Sequence, residues 1–162
     1  MKTMYTRLFR SLIIVLAVIG LLAAGKPDKP RLPEPKYEVR VEKDLMVPMR
    51  DGVNMATDIY FPVGLDRAPV VLSRTPYGKS RAIGGSDGKA LAGQGYIFIV
   101  QDVRGRFKSG GEFYPFLYDG DDGRDMIAWI QQQPWFDGKL GTTGASYLGA
   151  TQWFQAPDAD IT

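Results

Sequence analysis

The stretch LGTTGASYLGATQW, Leu140 to Trp153, reads as a short strand, a crowded turn and a helix. Leu140 to Thr143 is the strand, and Tyr147 to Ala156 is a helix ended by Pro157. Between them lies Gly144-Ala145-Ser146. A serine on a sharp strand-to-helix turn projects its hydroxyl above the edge of a sheet, and the turn crowds the backbone on both sides of it. Gly144 and Ala145 supply small residues before the serine. After it, the second small position falls at 148, where there is leucine; Gly149 and Ala150 follow. The helix N-terminus adds a backbone N–H, that of Tyr147, aimed where a negative oxygen could develop. On the pattern alone, a serine that merely caps the helix is the other reading.

Working outward, the same alternation of strand and helix recurs. Tyr37 to Val47 alternates Val39, Val41, Leu45 and Val47 with charges, as a half-buried strand does. Met49-Arg50-Asp51-Gly52 is a turn, and Asn54 to Phe61 is the partner strand of a hairpin. Ala68 to Ser73 (APVVLS) and Tyr96 to Gln101 (YIFIVQ) are continuous apolar runs, which suit strands buried on both faces. Ile83 to Gly88 (IGGSDG) reads as a loop, followed by a short helix from Lys89 to Gln94 that Gly95 stops. Asp119 to Gln133 is a helix with Asp119 at its cap; Asp121, Asp122 and Asp125 place negative charge at its positive end. Met126, Ile127, Trp129 and Ile130 form its buried side, and Pro134 ends it. A hairpin followed by strand, helix, strand, helix, strand, helix predicts an α/β chain with a mixed, mostly parallel sheet wrapped by helices. Ligands of such sheets sit at the carboxyl ends of the strands. Three segments share that rim: Arg74 to Tyr77, Asp102 to Gly105, and Gly144 to Ser146.

Composition limits what that rim can do. The 162 residues contain no cysteine and no histidine. A disulfide framework, a thiolate metal site, an imidazole base and a complete Ser-His-Asp triad are all excluded within this sequence. Lys2, Arg7 and Arg10 precede a 13-residue apolar run from Leu12 to Ala24, and Ala23 and Gly25 are spaced as at a signal-peptidase site. Residues 1–25 therefore read as a secretory signal peptide cleaved after Gly25, which predicts a secreted or periplasmic product and membrane contact only through that leader. The run is shorter than the ~20 residues of a spanning helix. Without the leader the chain carries 17 basic and 18 acidic side chains, net −1, and gives no sign of a nucleic-acid surface. Residues 26–36 (KPDKPRLPEPK) read as a Pro-rich linker. The globular part is expected over 37–162.

Four further stretches carry a resemblance: RTPYGK (Arg74 to Lys79), GYIFIVQDVRGR (Gly95 to Arg106), SGGEF (Ser109 to Phe113) and GASYLGATQW (Gly144 to Trp153). With the opening VPMRDGVNMATDIYFP (Val47 to Pro62), they resemble the secreted hydrolases grouped as cocaine esterase, α-amino acid ester hydrolase, glutaryl acylase and X-Pro dipeptidyl-peptidase. The resemblance covers roughly residues 40 to 156 and implies an α/β-hydrolase fold. It implies that Ser146 is the nucleophile, that the Tyr77 phenol is one oxyanion donor, and that the backbone N–H of Tyr147 is the other. A phenol with a reference pKa near 10 remains a donor at neutral pH. No cofactor or metal is implied. The substrate would be a small-molecule ester or amide, or a short peptide. In α/β-hydrolases the acid and the histidine follow the serine. Only 16 residues follow Ser146. The expectation is an N-terminal part of a longer hydrolase, truncated after the nucleophile elbow and inactive alone.

Other constellations fail on spacing. A phosphate loop ending at Gly88-Lys89 would need glycine at 83 and Ser or Thr at 90, where Ile83 and Ala90 stand. The acids from Asp119 to Asp125 lack the EF-hand order, since Gly123 and Arg124 occupy positions it needs for Asp or Asn and for Gly. Asp102, Arg104 and Arg106 are expected to brace loops through ion pairs. Two function classes remain: a serine hydrolase acting through an acyl-enzyme, or a non-catalytic secreted binding domain.

Overall fold

In the computed structural model the described residues are 33–81 and 84–156. Residues 1–25, read above as a signal peptide, and most of the segment read as a Pro-rich linker lie outside them. Strand β1 (Val39–Pro48) and strand β2 (Asn54–Pro62) form the expected hairpin. Its turn is closed by Met49 N–H to the Val53 carbonyl at 2.8 Å and by Gly52 N–H to the Met49 carbonyl at 2.9 Å. Gly52 takes φ +83°, a region that costs glycine nothing. Strand β3 (Ala68–Thr75), helix α1 (Gly84–Gly93), strand β4 (Ile97–Asp102), helix α2 (Asp119–Gln131), strand β5 (Phe136–Thr142) and helix α3 (Tyr147–Gln155) follow.

The sheet order is β1-β2-β4-β3-β5. The pairs β1–β2 and β2–β4 are antiparallel; β3–β4 and β3–β5 are parallel. Strand β4 shows why an apolar run without alternation is a strand here. Ile97 and Ile99 join the core cluster of Val70, Leu72, Leu140 and the α2 residues Met126, Ile127 and Ile130. Phe98 and Val100 point the other way, into a cluster with Tyr60, Ala92 and Leu91. Both faces are covered by helices, so both sets are apolar. Helix α1 covers one face; α2 and α3 lie together on the other, with the position of Gly123 hard against Gln155.

Four expectations change. The glycine-rich segment read as a loop is helical, and α1 starts at Gly84 rather than at Lys89. Gly88 explains part of this: a Cβ there would lie 2.8 Å from the Tyr60 ring, so glycine lets the helix settle directly on β2. Strand β5 begins at Phe136 rather than Leu140, and Arg67 secures that start by donating from Nε to the Phe136 carbonyl at 2.9 Å. Helix α2 is capped at Tyr118, not Asp119, and no side chain bonds there. Asp119 is instead the first helical residue and is buried. Finally, the last residues of the segment read as a linker do not hang free. The Gln94 amide donates to the Pro33 and Glu34 carbonyls at 2.9 and 3.1 Å, and Lys36 N–H bonds the Gly93 carbonyl at 2.7 Å, so its last residues cap the end of α1.

Candidate active site

Strands β3 and β5 are neighbours, yet the connection after β3 leads to α1 on one face and that after β5 leads to α3 on the other. A crevice opens at the carboxyl ends where such connections diverge. Tyr77 follows the carboxyl end of β3 and Ser146 that of β5.

Ser146 has φ +59° and ψ −127°, is exposed, and makes no capping hydrogen bond although it occupies the N-cap position of α3. A residue with a Cβ held there stores on the order of 1–3 kcal/mol of strain. The helix-cap alternative thus loses its hydrogen bond, and the hydroxyl remains at the surface. The turn is held from both sides. Thr143 N–H bonds the Leu72 carbonyl at 3.0 Å, continuing the β3–β5 ladder to the foot of the turn. The Gln152 side chain accepts from Thr142 Oγ1 at 2.8 Å and donates to the Gly144 carbonyl at 2.9 Å. Leu148, where a small residue was expected, is buried beneath Gly144. A Cβ at Gly144 would lie only 2.3 Å from the Leu148 Cβ, so the required smallness sits before the serine. At Gly149 a Cβ would meet nothing closer than the Gly144 carbonyl oxygen at 3.5 Å. A groove of about 420 Å³ opens beside the turn, lined by Thr142, Gly144, Gln152 and Trp153.

Tyr77 follows β3 in a turn fixed by its own N–H to Thr75 Oγ1 at 3.0 Å. Gly78, at φ +98°, turns the chain beneath the Phe107 ring, and both that backbone conformation and a Cβ contact of 3.0 Å to the ring favour glycine. Arg106 donates from Nε to the Pro76 carbonyl at 3.0 Å. The Tyr77 ring is 51% exposed and meets the Tyr147 ring edge-on, 6.4 Å between centroids. The fold therefore brings together all three residues that the resemblance singled out.

Tyr147 has a second feature that the sequence reading missed. Its phenol donates to Asp119 Oδ2 at 2.7 Å and accepts from Phe116 N–H at 3.2 Å. Its ring stacks on Phe116 at 4.6 Å. Burial, and then the bond to Asp119, push its pKa up to about 12. The aspartates at the head of α2 were read as helix-dipole partners; no spacing rule connects Asp119 to a tyrosine 28 residues later.

The charged residues of the rim brace loops. Arg104 grips Asp122 at 2.5 Å and Asp51 at 2.7 Å, tying the hairpin turn to α2, and these hydrogen bonds raise its pKa against the cost of burial. Arg74 is fully buried between Asp119 and Asp122, 3.8 and 3.9 Å away. Its Nε donates to Gln101 Oε1 at 3.0 Å and its Nη1 to the Asp119 carbonyl at 2.6 Å. Asp102 accepts from Lys79 N–H at 2.7 Å, and burial pushes its carboxyl up. Among the described residues no group of three His, Cys, Asp or Glu side chains is placed to hold a metal ion.

Known proteins are similar to this chain in sequence and fold. The model of the family described as X-Pro dipeptidyl-peptidase (S15 family) matches residues 51–160. Cocaine esterase of Rhodococcus sp. (strain MB1 Bresler) is 44% identical over 117 residues, which are 70% of this chain and 20% of that protein. An α-amino acid ester hydrolase superposes with a TM-score of 0.63 at 30% identity, over 85% of this chain and 26% of its own. A CocE/NonD family hydrolase from Staphylococcus aureus superposes at 0.66 with 28% identity, over 84% of this chain and 31% of its own. Brefeldin A esterase, at 17% identity and a TM-score of 0.58, shares the fold. The sheet described above is thus that of an α/β-hydrolase, and the chain spans about a fifth of the length of the cocaine esterase it matches. Because the family match covers more than half of its residues, the chain belongs to the X-Pro dipeptidyl-peptidase (S15) family of serine hydrolases.

Proposed function

We propose that this chain is the nucleophile-bearing part of a serine hydrolase that cleaves ester, amide or X-Pro peptide bonds through an acyl-enzyme on Ser146. The observation that carries this is the strained, uncapped Ser146 at the carboxyl rim, followed by a Tyr147 whose ring meets that of Tyr77. Ser146 Oγ attacks the substrate carbonyl carbon and its proton passes to a base. The carbonyl oxygen becomes an oxyanion held by the Tyr77 phenol and the Tyr147 N–H. Collapse expels the alcohol or amine, which takes up the proton, and water then releases the acid by the same route. One such oxyanion donor is typically worth ~2.7–4 kcal/mol of barrier. The base is a histidine and its orienting partner an acid, and this sequence holds no histidine.

The chain alone is therefore expected to be nearly inert, since losing a triad histidine costs about 10⁶ in turnover in subtilisin. A p-nitrophenyl ester assay with a Ser146→Ala control measures this. Turnover at ordinary hydrolase rates that vanishes in the control would contradict the expected inertness. Joined in frame to the remaining domains of a family-length hydrolase, the unsubstituted chain is expected to support turnover and the Ser146→Ala chain is not. Equal turnover of the two would remove Ser146 from the mechanism. We propose in addition that residues 1–25 direct export to the periplasm or exterior. N-terminal sequencing of the mature product is expected to begin at Lys26, and a product still beginning at Met1 would reject it.

A further inference from the structure

The helix-terminal N–H of Tyr147 has no partner within its own helix, so its direction is set by whatever holds residue 147. The residue before it is strained, and backbone strain persists only where the surroundings over-determine it. Before the serine the turn is held by Thr143 and Gln152; after it, the Tyr147 side chain adds a further hold. The phenol is bound at both its donor and its acceptor side, by Asp119 Oδ2 and by the Phe116 amide. The ring lies on Phe116, with Phe113 6.3 Å away on a tilted plane. Asp119 is itself fixed. It is buried at the start of α2, where a helix N-terminus favours its negative charge. Arg74 donates to its carbonyl and lies 3.8 Å from its Oδ1. Arg74 belongs to the end of β3, three residues before Tyr77. One buried network thus joins the strand that leads to Tyr77, the head of α2 and the residue after Ser146.

We propose that Asp119 is a positioning residue: by holding the Tyr147 phenol it aims the main-chain N–H of Tyr147 at the oxyanion. The role rests on the reading of Ser146 as nucleophile. It differs from simple helix-to-helix packing, because it requires the rigidity of one backbone unit to depend on one phenol–carboxylate bond.

The test uses the full chain labelled with ¹⁵N, and in parallel with 3-fluorotyrosine, which titrates below tyrosine. In the unsubstituted chain the amide order parameter at Tyr147 is expected near ~0.85, the value of rigid backbone. Asp119→Ala is expected to lower it below about 0.6, with Tyr60 in β2 unchanged. Asp119→Asn keeps an acceptor oxygen but removes the charge. It is expected to keep the backbone rigid while the Tyr147 fluorophenol midpoint falls toward that of free fluorotyrosine. If Asp119→Ala does not fold because Arg74 loses a counter-ion, Tyr147→Phe leaves that pair intact and carries the same expectation for the amide at 147. An unchanged order parameter in the folded variants, or a midpoint that Asp119→Asn does not move, overturns the proposal. Neither readout needs turnover, so an Ser146 that fails the hydrolysis test leaves these outcomes independently interpretable.

Discussion

A methyl group at position 144 has nowhere to go. Its Cβ would overlap that of Leu148, and φ there is +138°, where an L side chain is strained whatever the space. Gly144→Ala must displace either the buried leucine or the turn. Overpacking alone typically costs about 1–3 kcal/mol. The variant is expected to lose at least about 2 kcal/mol, read as a fall in the urea midpoint with an unchanged slope. Gly149→Ala is the control, because a Cβ there reaches only ordinary contact and the residue is helical. It is expected to be neutral or slightly stabilising. The serine and the small residue before it were legible in the sequence because the turn demands both. The leucine at 148 was not, since a pattern of small residues does not say which of them the local packing uses. The phenol of Tyr147 was also illegible, because its partner Asp119 reaches it through tertiary structure alone.

At the scale of elements, the hairpin, the parallel strands and α2 could be read from period and turn chemistry. The early starts of α1 and β5 could not. Glycines weaken a helix locally, and only the Tyr60 ring beneath Gly88 makes one useful there. Strand β1 adds a feature of the same kind, a break in register between Glu42 and Leu45 with Asp44 at φ +57°. The bulge turns Asp44 toward Lys79, 2.5 Å away, which also reaches Asp58 at 3.0 Å. Lys108 binds the other Asp44 oxygen at 2.5 Å. Hydrogen bonds from Lys108 and Lys79 lower the Asp44 pKa to about 2. A folded pKa below the unfolded value near ~3.9 gives stability that is present above the unfolded pKa and lost as pH falls through the folded one. Asn tolerates the left-handed conformation, so Asp44→Asn removes the charge with little backbone cost. The unsubstituted chain is expected to melt above Asp44→Asn at pH 6. The gap should close between about pH 4 and pH 2. Because Asp44 is part-exposed, added salt should narrow the gap at pH 6. A gap that is constant from pH 6 to pH 2 would mean that Asp44 acts through its shape and not its charge.

At the scale of the molecule, the two ends of the sheet differ. Among the described residues β1 forms one edge and β5 the other. The β1 edge carries Arg40, Glu42 and Lys43 and is interrupted by the bulge, features that blunt pairing with another chain. The β5 edge carries Asp137 and Lys139 in its first half, but no charge in its second half, residues 140–142. It is flanked by α3, which has no charged residue, and by Trp153, 81% exposed, next to exposed Phe154. Leu140 and Leu148 are nevertheless buried, Leu140 within the core that β5 shares with β3, β4 and α2. The exposed part is the outer side: a strand edge, a groove beside the Ser146 turn and the Trp153 ring, while Phe154 leans on Phe116. Unpaired edges and apolar patches are sites of association. The chain is therefore expected to self-associate as its concentration rises, with sedimentation coefficients that climb across the micromolar range. Trp153→Lys places a charge on that surface without entering the core and is expected to return the chain toward a monomer. It should leave the unfolding free energy within about 0.5 kcal/mol, as for surface substitutions generally. Equal association of the two chains would move the contact away from α3, and a chain that stays monomeric at every concentration would show that the β5 edge alone does not recruit a partner.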